Sequence, residues 1–396
     1  MLESRFSQIR LLLEEVLPMV SQDDQKVIKN FDDRLQRNFY TKLQKMSAEE
    51  FYQFDGLRKS YLLEDNVWMN LIDKMSRLIK FPRRDFYPED RVERRAYGKK
   101  KKQYELNACH ELFHGLKPLK VYDFGGGVGN LSHYLNTHFG VSSSVIDANE
   151  NLIIKGRSKL KTNKGISFIH TVVDEKCDLN LDSNSLGVGL HTCGNFAFDM
   201  LKVCSHKKIK HIVNFGCCYS KITNHKYHLS QNSQKKPFLN YRALASATLS
   251  FGTVERDQYD FRLKILDYKY SFYHWLYTEH GILKFCPMSN ARRSLYSLDF
   301  KDFVSITLKR FFPHLKPPAE KSLMSFYKSH PNRQLIKYFT AYYACSRYFG
   351  ELVEAYLLVD RALYLQQKGY ESHIFEVFDP QISPRNKAIV ATLNLV

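Results

Sequence analysis

The sequence predicts an α/β protein built on an open, mostly parallel, Rossmann-like sheet, with an N-terminal helical region and a helical insertion before the final strand pair. Three observations predict it. From Lys117 onward, short apolar runs alternate with helix-like segments, the pattern of parallel strands joined by crossover helices. The first run leads through Gly125-Gly126-Gly127-Val128-Gly129 into a helix-like segment, a strand-turn-helix unit whose backbone can approach a ligand. An acid, Asp147, closes the second run about 20 residues after the glycines, where such folds place a ribose-binding carboxylate.

Residues 1 to about 80 read as helices. The clearest carries Trp68, Leu71, Ile72, Met75, Leu78 and Ile79 at the three- and four-residue intervals of one helix face, and Pro82 ends it. The stretch 83–102 is strongly basic, including Lys99, Lys100, Lys101 and Lys102, and reads as a linker or a binding surface. Strand-like runs follow at 119–124, 143–147, 167–173, 186–190 and 211–215. A long segment of helical period then extends from Tyr219 to about Tyr370, with Gly369 as its stop. Runs at 374–378 and 388–393, joined by the loop 379–386, read as a closing hairpin pair. The organisation expected is a helical region over 1–95, a core formed by 96–235 with 370–396, and a helical insertion over 236–369.

The chain has 396 residues, ample for one large core and an appended piece. Its 59 Lys and Arg against 41 Asp and Glu give a formal charge of +18, which favours polyanionic partners such as nucleic acid. With 18 Gly and 12 Pro it is not a low-complexity chain. The 8 cysteines form no Cys-x-x-Cys pair, which argues against a zinc ribbon or thioredoxin-type centre and for reduced thiols in the cytoplasm or nucleus. Leu11-Leu12-Leu13 runs straight into Glu14-Glu15, so no signal peptide is read, and no apolar run approaches the length of a membrane span. A soluble intracellular protein without a membrane partner is expected.

The turn spacing is Gly-x-Gly-x-Gly, with Asp123 two residues before Gly125, rather than the Gly-x-Gly-x-x-Gly of dinucleotide folds. It suits S-adenosylmethionine (SAM), whose amino acid and sulfonium pack against the turn with an acid nearby. The cofactor residues expected are Asp123, Gly125, Gly127, Gly129 and Asp147, with Asp174 after the third run placed to reach the adenine amino group. Ligands of such sheets sit at the carboxyl ends of the strands. There, Leu190-His191-Thr192-Cys193-Gly194 and Asn214-Phe215-Gly216-Cys217-Cys218-Tyr219 supply the acceptor side. His191 is the candidate base or orienter, Asn214 a hydrogen-bonding group, and Tyr219 a stacking or positioning group. His191 with Cys193, Cys217 and Cys218 raises a zinc reading, but the spacing is irregular and cysteine is often only a small buried residue, so no metal is expected.

These blocks resemble the methyltransferase-like protein 25 family, in its ribosomal RNA adenine dimethylase domain-containing branch. The resemblance rests on Lys101-Lys102-Gln103-Tyr104-Glu105, Asp123 to Gly129, Gly189-Leu190-His191-Thr192-Cys193-Gly194, Gly216-Cys217-Cys218-Tyr219, Arg242-Ala243-Leu244-Ala245 and Ser383-Pro384-Arg385-Asn386. Tyr104 stands where the family has His. The resemblance implies a class I SAM-dependent methyltransferase fold and an RNA acceptor, either an adenine of ribosomal RNA or a ribose of transfer or ribosomal RNA. Adenine amino methylation commonly uses an Asn/Asp-Pro-Pro-aromatic tetrad at the fourth strand end, where this chain has His191-Thr192-Cys193-Gly194; paired blocks of this kind also resemble transfer RNA 2′-O-methyltransferases. The alternatives are a protein side chain as acceptor, and a non-catalytic SAM-binding scaffold. Against the last stand the intact Asp123, Gly125, Gly127, Gly129 and Asp147.

Overall fold

The computed structural model describes residues 2–30, 38–83, 100–223, 228–231, 237–249, 251–286, 288 and 293–394. Its centre is a sheet of seven strands: β1 Lys120–Phe124, β2 Ser142–Asp147, β3 Ile166–His170, β4 Leu186–Cys193, β5 His211–Cys217, β6 Tyr370–Glu376 and β7 Lys387–Leu393. The spatial order is β3-β2-β1-β4-β5-β7-β6. β1 to β5 pair in parallel, and β7 runs antiparallel to both β5 and β6. This is the class I methyltransferase topology. Its order reverses between β1 and β4, which opens a crevice at the carboxyl ends of those strands.

The strands read as near-continuous apolar runs because helices cover the sheet. Val121, Val188, Val213 and Phe215 are buried in one cluster with Leu106, Cys109, Phe113, Leu131, Tyr134 and Leu135 of the neighbouring helices. Each fully buried side chain of this size contributes about 1.5–3 kcal/mol relative to exposure. Gly369 has φ +87° and ends the helix His330–Gln367, the left-handed stop its position calls for.

Four strands differ in extent from the sequence reading, each for a physical reason; β6 runs over Tyr370–Glu376 rather than 374–378, because β7 pairs with it along that whole length. β3 stops at His170, because Asp147, its partner, is the last residue of β2; the apolar residues after it stay outside the ladder, and Val172 is 66% exposed. β4 and β5 run on to Cys193 and Cys217, because β4 bulges at His191 and then resumes pairing.

The chain divides into two compact units. One comprises Met1–Leu17, Lys74–Phe251 and Phe349–Val396, and holds the sheet. The other comprises Pro18–Asp73 and Gly252–Tyr348. In the second unit Phe54 packs on Trp68 and Tyr348, with ring centroids 5.4 Å and 5.0 Å away, and a buried Arg347–Asp55 pair meets at 2.6 Å. Helical periodicity shows which face of a helix is apolar but not which neighbour it buries against, so it cannot draw these limits. Most of the basic stretch 83–102 lies outside the described residues.

Candidate functional site

The glycine turn is bent by positive φ angles that side chains rarely adopt: +71° at Gly125 and +58° at Gly127. A Cβ on Gly125 would stand 2.8 Å from the Phe196 ring. The turn is tied to β2: the Gly127 amide donates to Asp147 Oδ2 at 3.0 Å, and the Asn149 amide donates to Oδ1 at 2.8 Å. Each carboxylate oxygen keeps a second lone pair for a ligand. Beside the turn lies a cavity of about 360 Å³, lined by Gly125, Ile146, Asp147, Ala148, Thr171, Val172, Val173, His191, Cys193, Phe196 and Asp199. It offers two acids, Asp147 and Asp199, and apolar surfaces from Val172, Val173 and Phe196. Gly129 has φ +79° and begins the helix Asn130–Phe139.

The other two acids stand elsewhere. Asp123 is buried beneath the turn and accepts a hydrogen bond from the Ser132 hydroxyl at 2.9 Å, so its carboxylate braces the glycines from below. Burial pushes its pKa up to about 6, against the opposing effect of the Ser132 hydrogen bond. A carboxyl group with a folded-state value above its unfolded one is most stabilising when protonated. Its contribution is therefore present below about pH 4 and lost as the pH rises through about 6. Asp123→Asn should flatten this part of the pH dependence of chemical denaturation, worth up to about 3 kcal/mol. An unchanged profile would place the carboxylate in solvent. Asp174 is exposed and accepts from the Lys176 amide at 2.9 Å, capping its own turn, and it does not line the cavity. An adenine contact from it would require that turn to rearrange.

His191 forms the edge of the site. It has φ +66° and occupies the bulge where the register passes from Leu190↔Phe215 to Thr192↔Gly216. Its Nε2 lies 2.8 Å from Glu105 Oε1. Glu105, on the helix Lys100–Ala108, is buried and accepts a second hydrogen bond from the Ser383 hydroxyl at 2.8 Å, with Lys101 Nζ 3.6 Å away. Burial pushes the Glu105 pKa up, but the His191 and Ser383 hydrogen bonds and the neighbouring positive charge outweigh it, and the net value is lowered. Three sequence blocks far apart in the chain thus meet here. No spacing in the sequence singles out Glu105; its one signal is its place beside Lys101 and Lys102. Tyr104, the departure from the family pattern, accepts from the Asp379 amide at 2.6 Å and anchors the loop between β6 and β7.

Asn214 and Tyr219 are not brought to the cavity. Asn214 is fully buried: its Nδ2 donates to Thr192 Oγ1 at 3.0 Å, and its Oδ1 has no partner among the described residues. It joins β5 to β4 and does not meet an acceptor. Tyr219 is 1% exposed, with the Arg361 guanidinium 5.4 Å from its ring centroid, and burial pushes its phenol pKa up. A ring so enclosed cannot stack on a substrate.

Cys193, Cys217 and Cys218 place their sulfurs within 4.8 Å of one another. The Cys193 and Cys217 sulfurs share a hydrogen bond at 3.1 Å, which draws the Cys193 thiol down to about 5 in spite of its partial burial, while Cys217 itself is pushed up.

The strand order is that of the class I methyltransferase fold, and residues 99–225 match the family model described as a methyltransferase domain. The chain is 25% identical over 243 residues to the mouse probable methyltransferase-like protein 25, covering 57% of this chain and 39% of that protein. The human protein of the same name is 27% identical over 243 residues, covering 57% of this chain and 40% of its own. The likeness to methyltransferase-like protein 25 expected from the motifs is thus found in the relatives, although the chain spans about two fifths of their length. Among solved structures, the methyltransferase domain of bacterial CtHen1-CN is 17% identical with a TM-score of 0.26, over 28% of this chain and 64% of that one. Among the described residues no helix is long and apolar enough to cross a membrane.

Proposed function

We propose that this protein is a SAM-dependent methyltransferase acting on RNA, with a ribose hydroxyl as its acceptor. The observation that carries the reading is the His191–Glu105 pair at the edge of a glycine-floored crevice. SAM supplies an electrophilic methyl group on a sulfonium. The residues fit it: the Gly127 turn leaves room that a side chain would fill, Asp147 has lone pairs for the ribose hydroxyls, and Val172 and Phe196 offer apolar faces for adenine.

A hydroxyl must lose its proton as it attacks, so it needs a base held in place. Glu105 accepts from His191 Nε2, which leaves Nδ1 to serve as the base. An adenine amino group needs carbonyl acceptors and a stacking aromatic instead, and neither Asn214 nor Tyr219 is exposed to provide them. The +18 charge supports an RNA acceptor through phosphate contacts. Residues 101–102 of the basic stretch lie on the helix that carries Glu105.

The donor half of this reading is tested on Asp147→Ala. Loss of two charge-assisted hydrogen bonds to the ribose should weaken SAM by at least tenfold, from about 1.5–3 kcal/mol per charged partner. Calorimetry giving wild-type affinity would move the ribose contact to another residue.

A further inference from the structure

We propose that Cys193, Cys217 and Cys218 form a zinc site, with three thiolate ligands and a fourth position open toward the crevice. The three sulfurs lie within 4.8 Å of one another, with Cys193 and Cys217 3.1 Å apart. Sulfurs bound tetrahedrally to one zinc ion at about 2.3 Å stand about 3.8 Å from each other, inside that range. Small side-chain adjustments therefore turn the cluster into a coordination sphere.

The backbone explains how the cluster arises. The bulge at His191 adds one residue to β4 and brings Cys193 level with Cys217 across the ladder. Successive residues of a strand point to opposite faces, so Cys218 would ordinarily turn away from Cys217. Its φ of +48° breaks that alternation and lets both sulfurs reach the same place. The two non-glycine residues with positive φ in this region, His191 and Cys218, thus both serve the convergence.

Simpler readings account for less. Small apolar filler would be buried, yet Cys193 and Cys218 are only partly covered and Cys193 lines the cavity. A disulfide between Cys193 and Cys217 would use two sulfurs and leave Cys218 without a reason to be there. All three are free thiols. A borderline-soft divalent cation uses all three, and three protein ligands with one open place is the usual arrangement of a reactive zinc site. The proposal does not rest on methyl transfer, and its test needs no activity.

The test uses the full chain, reduced, incubated with zinc chloride and desalted. About one equivalent of zinc should remain by elemental analysis, and cobalt(II) in its place should show thiolate charge-transfer absorption. Cys218→Ser should lose both signals, and Cys177→Ser should keep them. Because a Cys variant can misfold, the wild type is also alkylated with and without zinc and its peptides mapped. Zinc should slow modification of Cys193 and Cys218 about tenfold or more and leave Cys286 unaffected. No retained zinc, unprotected Cys193 and Cys218, or a Cys193–Cys217 disulfide formed while zinc is present would each overturn the site.

Discussion

Titrating SAM into Gly127→Arg should show affinity reduced by at least 100-fold, with the fold retained. At φ +58° a side chain costs about 1–2 kcal/mol, which lowers stability without removing it. A Cβ there meets only Leu152, at 3.7 Å, so the fold tolerates the substitution, while a bulky cation on the turn would hinder a ligand that packs against it. The same change disturbs the Gly127 amide that holds Asp147. Both donor contacts therefore fail together. Wild-type affinity by calorimetry, with a cooperative melt, would place the donor elsewhere.

The second large effect is on turnover. His191→Ala should lower kcat about 100-fold or more while SAM affinity stays within a fewfold of wild type, because the proposed base acts on the acceptor's proton and not on the donor. Glu105→Gln keeps the shape and the Ser383 hydrogen bond but removes the charge that orients His191. It should lower kcat by about tenfold or more and shift the pH-rate profile, a change that a packing role would not produce. Glu105→Ala should also destabilise the protein, by about 1–3 kcal/mol, because it leaves the buried Ser383 hydroxyl without its acceptor. Full turnover in both His191→Ala and Glu105→Gln would remove the base from this reading.

The fold was legible because its signals are local. Strand runs, the glycine turn and the Gly369 stop each depend on a few neighbouring residues, and β1, β2 and β7 lie within one residue of where the apolar pattern puts them. Asp147 was legible for the same reason: its distance from the glycines fixes its place at the next strand end. The acceptor side was not. Whether Asn214 and Tyr219 face the crevice depends on Met200, Arg361 and other partners far away in sequence. Glu105 and Ser383 sit 278 positions apart and meet only once the sheet is closed by β6 and β7. The cysteine cluster depends on a one-residue bulge that no periodicity announces. Asp123 stands at the turn as its spacing predicts, but the structure buries it beneath the glycines, since spacing gives a residue's position along the chain and not which way its carboxylate turns.

The most direct measurement is the fate of labelled methyl groups. Wild-type protein, Gly127→Arg and His191→Ala are each incubated with methyl-labelled SAM and fractionated cellular RNA and protein, and the label is traced to nucleosides after digestion. Wild type should place label in RNA as 2′-O-methylribose, Gly127→Arg none above background, and His191→Ala should do so at about 1% of the wild-type rate. Label confined to protein, label on adenine, or equal transfer by all three proteins would contradict it.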